Sequence, residues 1–209
     1  MRTNQEIFET IYRKKLWGGR KLFWRRFYSG SGSARKDIIA PYVEAVLPLI
    51  RGKRIVDIGC GDFTVGSHLV KAANHYIGCD VARPLIAYNT KKFGADFRVL
   101  DAVEEDLPQG DIVLLRQVLQ HLSNAQVARI VPKLCQYKYA IVTEHIPGFV
   151  DFTPNLDKET GADHRVSFGS GIVLAEPPFN LKAKSATILC EVEEFGGIIR
   201  TILFEQPTL

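Results

Sequence analysis

From Arg54 onward the chain repeats one rhythm, and that rhythm restricts the fold more than any other feature. Short apolar runs read as strands: "RIVDIG" (54–59), "HYIGCD" (75–80), "DFRVLD" (96–101), "DIVLLR" (111–116) and "YAIVTE" (139–144). Helical patterns lie between them, in "TVGSHLVKAA" (64–73), after Pro84, and from "QVLQHL" through "NAQVARIVPKL" to about Leu134. Alternating β and α units predict a doubly wound parallel sheet, and the fully apolar "DIVLLR" suits a strand covered on both faces. The C-terminal "ATILCEVEE", "FGG" and "IIRTILFEQ" predict an antiparallel hairpin, with Gly196-Gly197 as its turn. The expected architecture is an α/β, Rossmann-like, seven-stranded sheet ending in that hairpin and preceded by a helical cap.

In front of the sheet, Ile7, Phe8, Ile11 and Tyr12 predict a short amphipathic helix over 4–16. A second helix is marked by Ile38, Ile39, Tyr42, Val43, Val46, Leu47 and Ile50, with Pro41 expected in its first turns. Between them lies "LWGGRKLFWRRFYSGSGS", basic and aromatic, then rich in Gly and Ser. Residues 1–36 carry ten Lys/Arg and two Glu, a balance of +8, against −4 for the rest of the chain. Three readings follow for this segment, which includes Trp17, Trp24, Arg25, Arg26 and Tyr28. It closes over a substrate as a lid, it grips nucleic acid by stacking and phosphate contacts, or it packs on the domain with its basic side in water. Only about twenty residues separate Ser29–Ser33 from strand one, which leaves no room for an independent domain in front. That stretch reads as a hinge or a ligand-contacting turn. The division is therefore a cap over 1–36 and a ligand-binding domain over 37–209.

Other classes of protein fit poorly. No run approaches the roughly 18 apolar residues of a membrane span. The N-terminus alternates charged and apolar residues, which predicts no secretory signal. Cys60, Cys79, Cys135 and Cys190 form no C-x-x-C and have no histidine at zinc spacing. They read as free thiols of a cytoplasmic protein, and no metal is expected.

The chemistry concentrates in "RIVDIGCGDFTVGSHL". Gly59 and Gly61 allow a sharp turn and close approach of a ligand to backbone. Asp80 ends the second strand, placed to accept hydrogen bonds from ribose hydroxyls. The spacing is not that of a dinucleotide site, because Thr64 stands where G-x-G-x-x-G needs glycine. Asp57 and Asp62 would repel a pyrophosphate and suit a ligand with a cationic end, such as S-adenosylmethionine.

On these residues the chain resembles the class I S-adenosylmethionine-dependent methyltransferases over about 38–205. "VDIGCGD" is similar to their first motif, with Phe63 in place of its third glycine. The resemblance implies S-adenosyl-L-methionine as cofactor, held by Asp57, Gly59, Gly61, Asp80, Asp101 and Ala102, with Asp101 on the adenine amine. "DIVLLRQVLQHL" resembles the strand-four motif, which places Arg116 and Gln117 beside the cofactor. "FETIYRKKLWGG" followed by "SGSGS" resembles the N-terminus of a group of bacterial methyltransferases, some associated with surface glycans.

Ligands of open α/β sheets sit beyond the strand C-termini. His121 and His145 are accordingly the candidate bases, with Gln117 and His121 expected on one helix face. Trp17, Tyr28, Glu144, Asp163, His164 and Arg165 are the candidate substrate contacts. Residues 145–183, broken by prolines and glycines, exceed ordinary loop length and predict a lid or binding loop. The expected reaction is in-line methyl transfer to a hydroxyl of a small molecule or glycan. An RNA or protein methyltransferase and a non-catalytic S-adenosylmethionine-binding regulator are the alternatives. No Asn-Pro-Pro-Tyr type stretch follows strand four, which weighs against methylation of base amines. The glycine spacing also argues against a nicotinamide oxidoreductase.

Overall fold

The computed structural model describes residues 2–18 and 26–207. Trp24 and Arg25 lie outside the described residues. Helix α1 (Asn4–Lys14) starts at a capping box, in which Thr3 Oγ1 accepts from Glu6 N and the Glu6 carboxylate accepts from Thr3 N. It stops where Lys15 turns left-handed at φ 50. Helix α2 (Lys36–Ile50) begins before Ile38, so Pro41 falls beyond its first turn, and Pro48 also lies inside it. Each removes one backbone hydrogen bond, and burial of Ile38, Ile39, Tyr42, Val46 and Ile50 offsets the loss.

Seven strands follow: β1 (Arg54–Ile58), β2 (His75–Asp80), β3 (Asp96–Val99), β4 (Ile112–Arg116), β5 (Tyr139–Pro147), β6 (Ser185–Glu194) and β7 (Gly197–Glu205). They form one sheet in the order β3-β2-β1-β4-β5-β7-β6. The first five are parallel, and β7 and β6 return antiparallel. This is the doubly wound, Rossmann-like sheet with a C-terminal hairpin. Alternate residues of the central strands serve two cores. Val56, Ile58, Val113, Leu115, Ala140 and Val142 face one layer with Leu119, Val127 and Ile130. Ile55, Ile112, Leu114 and Ile141 face the other with Tyr42, Val46 and Ile50 of α2. Helix α4 (Arg83–Phe93) joins β2 to β3, and α5 (Asn124–Ile130) lies between β4 and β5.

Local departures from the sequence reading have physical causes. The expected helix 64–73 shrinks to α3 (Gly66–Leu69), with Phe63 packed against Gly66. The expected helix through "QVLQHL" is one 3-10 turn, Leu119–His121, followed by α5 and a second 3-10 stretch, Val131–Gln136. Gln117 is left-handed at φ 56, so Gln117 and His121 do not share a helix face. The hairpin turn is Phe195-Gly196, at φ 39 and φ 71, one residue before the expected pair. β5 runs on to Pro147, so the irregular segment is 148–184. That segment is ordered by its own contacts. Asn155 donates to the carbonyls of Val173 and Pro177 and accepts from Val173 N, while Ile172, Leu174, Phe179 and Leu181 are buried in the core.

Phe63, at the place of the motif's third glycine, keeps a glycine-like φ of 60. Its side chain leaves the loop for the core and is fully buried. It meets the rings of Tyr76, Phe93 and Phe97 at 5.6, 5.0 and 4.7 Å, all edge-on. The left-handed backbone costs on the order of 1–2 kcal/mol, less than the aromatic burial returns. Phe63→Ala keeps the backbone cost and loses the packing. It should destabilise the protein by about 3–5 kcal/mol, read from the midpoint of urea unfolding.

Candidate active site

The C-terminal ends of β1, β2 and β4 surround a cavity of about 450 Å³. That is within the roughly 300–1,000 Å³ usual for small-molecule sites. Its floor is the loop after β1. Gly59 and Gly61 have φ 69 and 56, and a Cβ on either would meet Val118 Cγ2 at 2.4 Å or Ser29 Oγ at 2.6 Å. Only glycine fits both the backbone and the space. The loop is held by three elements. Asp80 Oδ2 accepts from Gly61 N at 3.1 Å, Asn89 Nδ2 donates to Gly61 O at 2.8 Å, and Asp62 N donates to Ser29 Oγ at 2.8 Å.

Ser29 belongs to the Gly/Ser stretch, which lies across the loop as an ordered strap. Tyr12 Oη of α1 lies 3.1 Å from Ser29 Oγ. Arg116, at the end of β4, donates to Gly32 O at 2.7 Å and lies over the Tyr42 ring. Beyond the strap, Arg35 pairs with Glu194 at the end of β6. Helix α1 and Trp17 beyond it close the adjoining wall. Asn4 Nδ2 donates to both oxygens of Asp101 at 3.1 and 3.0 Å, and Trp17 Nε1 donates to Ala162 O at 3.0 Å.

All eight expected cofactor residues line this cavity: Asp57, Gly59, Gly61, Asp80, Asp101, Ala102, Arg116 and Gln117. So do His121 and His145, and so do Trp17, Asp163 and His164. Three expected substrate contacts are placed elsewhere. Tyr28 is not among the lining residues and packs beside Gly18. Glu144 is buried behind the post-β4 turn, where its two oxygens accept from Leu119 N at 3.0 Å and Gln120 N at 2.9 Å. Arg165 is fully buried and donates to the carbonyls of Leu156, Leu119, Gln120 and Leu122. A carboxylate and a guanidinium so far from water must be satisfied by backbone, so both fix the turn that carries His121. Asn4, Phe8, Tyr12, Ser29, Val118 and Phe195 line the cavity without having been expected there. Asn4, Phe8 and Tyr12 recur every four residues, a face that holds two polar side chains and in that respect announces a site.

The electrostatics are one-sided. Asp57, Asp62, Asp80, Asp101, Asp163 and Glu194 line the cavity, and among the described lining residues Arg116 is the sole Lys or Arg. Burial pushes Asp57 up to about 6, partly opposed by the hydrogen bond from Tyr76 Oη. Burial likewise pushes Asp80 up to about 6, opposed by the amides of Ala82 and Gly61. At the other end of the cavity three imidazoles gather. His145 and His164 lie with ring centres 5.3 Å apart, and His121 lies 5.0 Å from the Trp17 ring. Burial lowers all three, His121 to about 3, so they stand neutral. His145 Nε2 lies 2.8 Å from Glu194 O, an acceptor, which makes that nitrogen the protonated one and leaves Nδ1 with a lone pair. Among the described residues no three such side chains converge to hold a metal ion.

Residues 56–135 match the family model described as a methyltransferase domain. Over that segment the chain is similar to methyltransferase domains. No curated protein matches it in sequence. Solved structures place it in the class I S-adenosylmethionine-dependent methyltransferase fold. The N-methyltransferase NodS of Bradyrhizobium japonicum, solved with S-adenosyl-L-homocysteine, is 11% identical over 83% of this chain and 87% of its own, with a TM-score of 0.63. The N-terminal domain of EvdMO1, solved in the presence of S-adenosyl-L-homocysteine and D-fucose, is 14% identical over 98% of each chain, with a TM-score of 0.60. The magnesium protoporphyrin IX methyltransferase of Synechocystis, solved with S-adenosyl-L-homocysteine, is 16% identical over 95% and 99%, with a TM-score of 0.58.

The buried Arg165 binds carbonyls of both the post-β4 turn and the 148–184 segment. Arg165→Met should strip four carbonyls of their donor and cost about 3 kcal/mol. Chemical unfolding measures it, and a loss below about 1 kcal/mol would deny Arg165 that role.

Proposed function

We propose that the chain transfers the methyl group of S-adenosyl-L-methionine to a hydroxyl of an uncharged small-molecule or glycan acceptor. The observation that carries this reading is the charge of the cavity: six carboxylates face one arginine that is already bound to the strap. Such a lining disfavours a pyrophosphate and suits an ammonium, a sulfonium and a ribose. The fit is local as well. The glycine loop admits a ligand against its backbone, and Asp80 retains acceptor capacity beside its two backbone bonds. Asp101 and Ala102 stand at the adenine end, and Gln117 stands against the strap at Gly32.

S-adenosyl-L-methionine supplies an activated methyl group, so the protein must align the acceptor and take up its proton. His145 is the assigned base. Its Nε2–H is held by Glu194 O, and its Nδ1 is free to accept the hydroxyl proton. His121 is held neutral under Trp17 and shapes the acceptor end with His164 and Asp163. Trp17 in that wall favours a lid or cap role for the N-terminal segment over a grip on nucleic acid. A planar aromatic beside neutral imidazoles suits the apolar face of a sugar or ring.

Calorimetry with S-adenosyl-L-homocysteine tests the cofactor assignment. Asp80→Asn should weaken binding by about 1.5–3 kcal/mol, the worth of hydrogen bonds to a charged group. Unchanged affinity would contradict the assignment. Binding needs the ionised carboxylate, and Asp80 in the empty protein titrates near 6. Affinity should therefore hold above that pH and weaken as pH falls through it. His145→Ala should leave S-adenosyl-L-homocysteine affinity intact and slow turnover by about 100-fold or more, measured as S-adenosyl-L-homocysteine release with a pool of hydroxylated acceptors. Full turnover by that variant would remove His145 as base.

A further inference from the structure

Helix α1 brings a polar side chain into the cavity from outside the sheet. Asn4 is the first residue of that helix, lines the cavity and is only 8% exposed. Asparagine is mostly exposed in proteins, and one turned inward needs partners. Asn4 has them at both ends of its amide. Its Nδ2 donates to Asp101 Oδ1 at 3.1 Å and to Asp101 Oδ2 at 3.0 Å, and its Oδ1 accepts from Gln126 Nε2 at 2.7 Å. It also lies before residue 38, outside the part of the chain that carries the motif resemblance.

The direction of this relay is set at its far end. Gln126 Oε1 accepts from Ser123 N at 3.2 Å in the capping box of α5, and from Thr160 Oγ1. An amide has one donor end and one acceptor end. With Oε1 committed to the cap, Gln126 turns Nε2 toward Asn4, and Asn4 in turn presents Nδ2 to Asp101. Val103 N adds a third contact, donating to Asp101 Oδ1 at 3.0 Å. The carboxylate is thus held in one orientation, with part of its roughly four lone-pair sites left over. Phe8, Leu100, Ala102, Val103 and Leu122 line the cavity with it. Apolar side chains beside one fixed carboxylate suit a flat heterocycle that bears an amine.

We propose that Asn4 is a positioning residue for the base of the bound nucleoside. It holds the Asp101 carboxylate so that the cavity takes a base with an exocyclic amine and rejects the oxo counterpart. The inference rests on the S-adenosyl-L-methionine reading above. A carboxylate accepts from an amine N–H, whereas the oxygen of an oxo base meets like negative charge. A site built to bond an N–H discriminates strongly only while its polar group stays in place, and a carboxylate without its donors would rotate away.

Calorimetry on the full chain compares S-adenosyl-L-homocysteine with S-inosyl-L-homocysteine, in which an oxo group replaces the amine. The unaltered chain should prefer the first by about tenfold or more. Asn4→Ala removes the relay. Asn4→Asp is nearly isosteric, keeps an acceptor for Gln126 and suits a helix N-terminus, but turns a like charge toward Asp101. Both should weaken S-adenosyl-L-homocysteine by about tenfold and leave the inosyl ligand little changed, so the preference collapses. A purely structural role would lower both affinities together and keep the ratio, which overturns the proposal. So does unchanged or tighter S-adenosyl-L-homocysteine binding, since Asn4 would then be idle or would block Asp101. Loss of the cooperative unfolding transition in both variants would make Asn4 a folding residue and overturn it as well. An unaltered chain that binds neither ligand removes the cofactor reading and this inference with it, whereas tight binding with an intact preference in the variants removes this inference alone.

Discussion

The site depends on one constraint: the backbone of Gly59–Phe63 must stay left-handed at three of its five residues, at φ 69, 56 and 60. A chain does not hold such a conformation unaided, because each turn could relax toward the extended or helical region. Here the loop is clamped. Asp80 fixes Gly61 N, Asn89 fixes Gly61 O, Ser29 fixes Asp62 N, and the Phe63 ring is locked among three aromatics. The same clamp sets the chemistry. Holding the loop brings Asp57, Asp62 and Asp80 into one cavity, and their burial makes the empty site unfavourable for its own charge. A ligand with a cationic end relieves what the fold has imposed.

The strap couples that loop to everything around it. Through Ser29 it reaches the glycine loop and Tyr12 of α1, through Gly32 it reaches Arg116 on β4, and through Arg35 it reaches Glu194 on the hairpin. The N-terminal segment is thus part of the cavity wall, and α1 adds Asn4 against Asp101. A stretch whose composition suggests slack chain is placed by specific contacts. Ser29 and Ser33 supply small hydrogen-bonding groups, and Gly32 leaves room for the Gln117 side chain.

The strands and their ligand loop were legible in the sequence because both rest on local rules. Apolar runs of five or six residues mark buried parallel strands, and glycines flanked by Asp57 and Asp80 mark the loop. The imidazole end of the cavity was less legible because burial there is decided by contacts far apart in sequence. Glu144 and Arg165 look like site residues, as charged groups near strand ends do. Yet Glu144 caps amides 24 and 25 residues away, and Arg165 reaches carbonyls more than 40 residues away. The "QVLQHL" helix failed for the same reason, since those amides bond Glu144 instead of continuing a helical ladder. Tyr28 packs beside Gly18 while its neighbour Ser29 bonds the loop, a difference between adjacent residues that composition does not reveal.

The central claim is that the glycine loop and the Ser29–Ser33 strap form one ligand-binding unit. Hydrogen–deuterium exchange with and without S-adenosyl-L-homocysteine tests it directly. Peptides spanning 26–36 and 57–66 should both become slower to exchange when the ligand is added, and by a similar factor. Protection of the glycine loop alone, with the strap exchanging as before, would contradict the account.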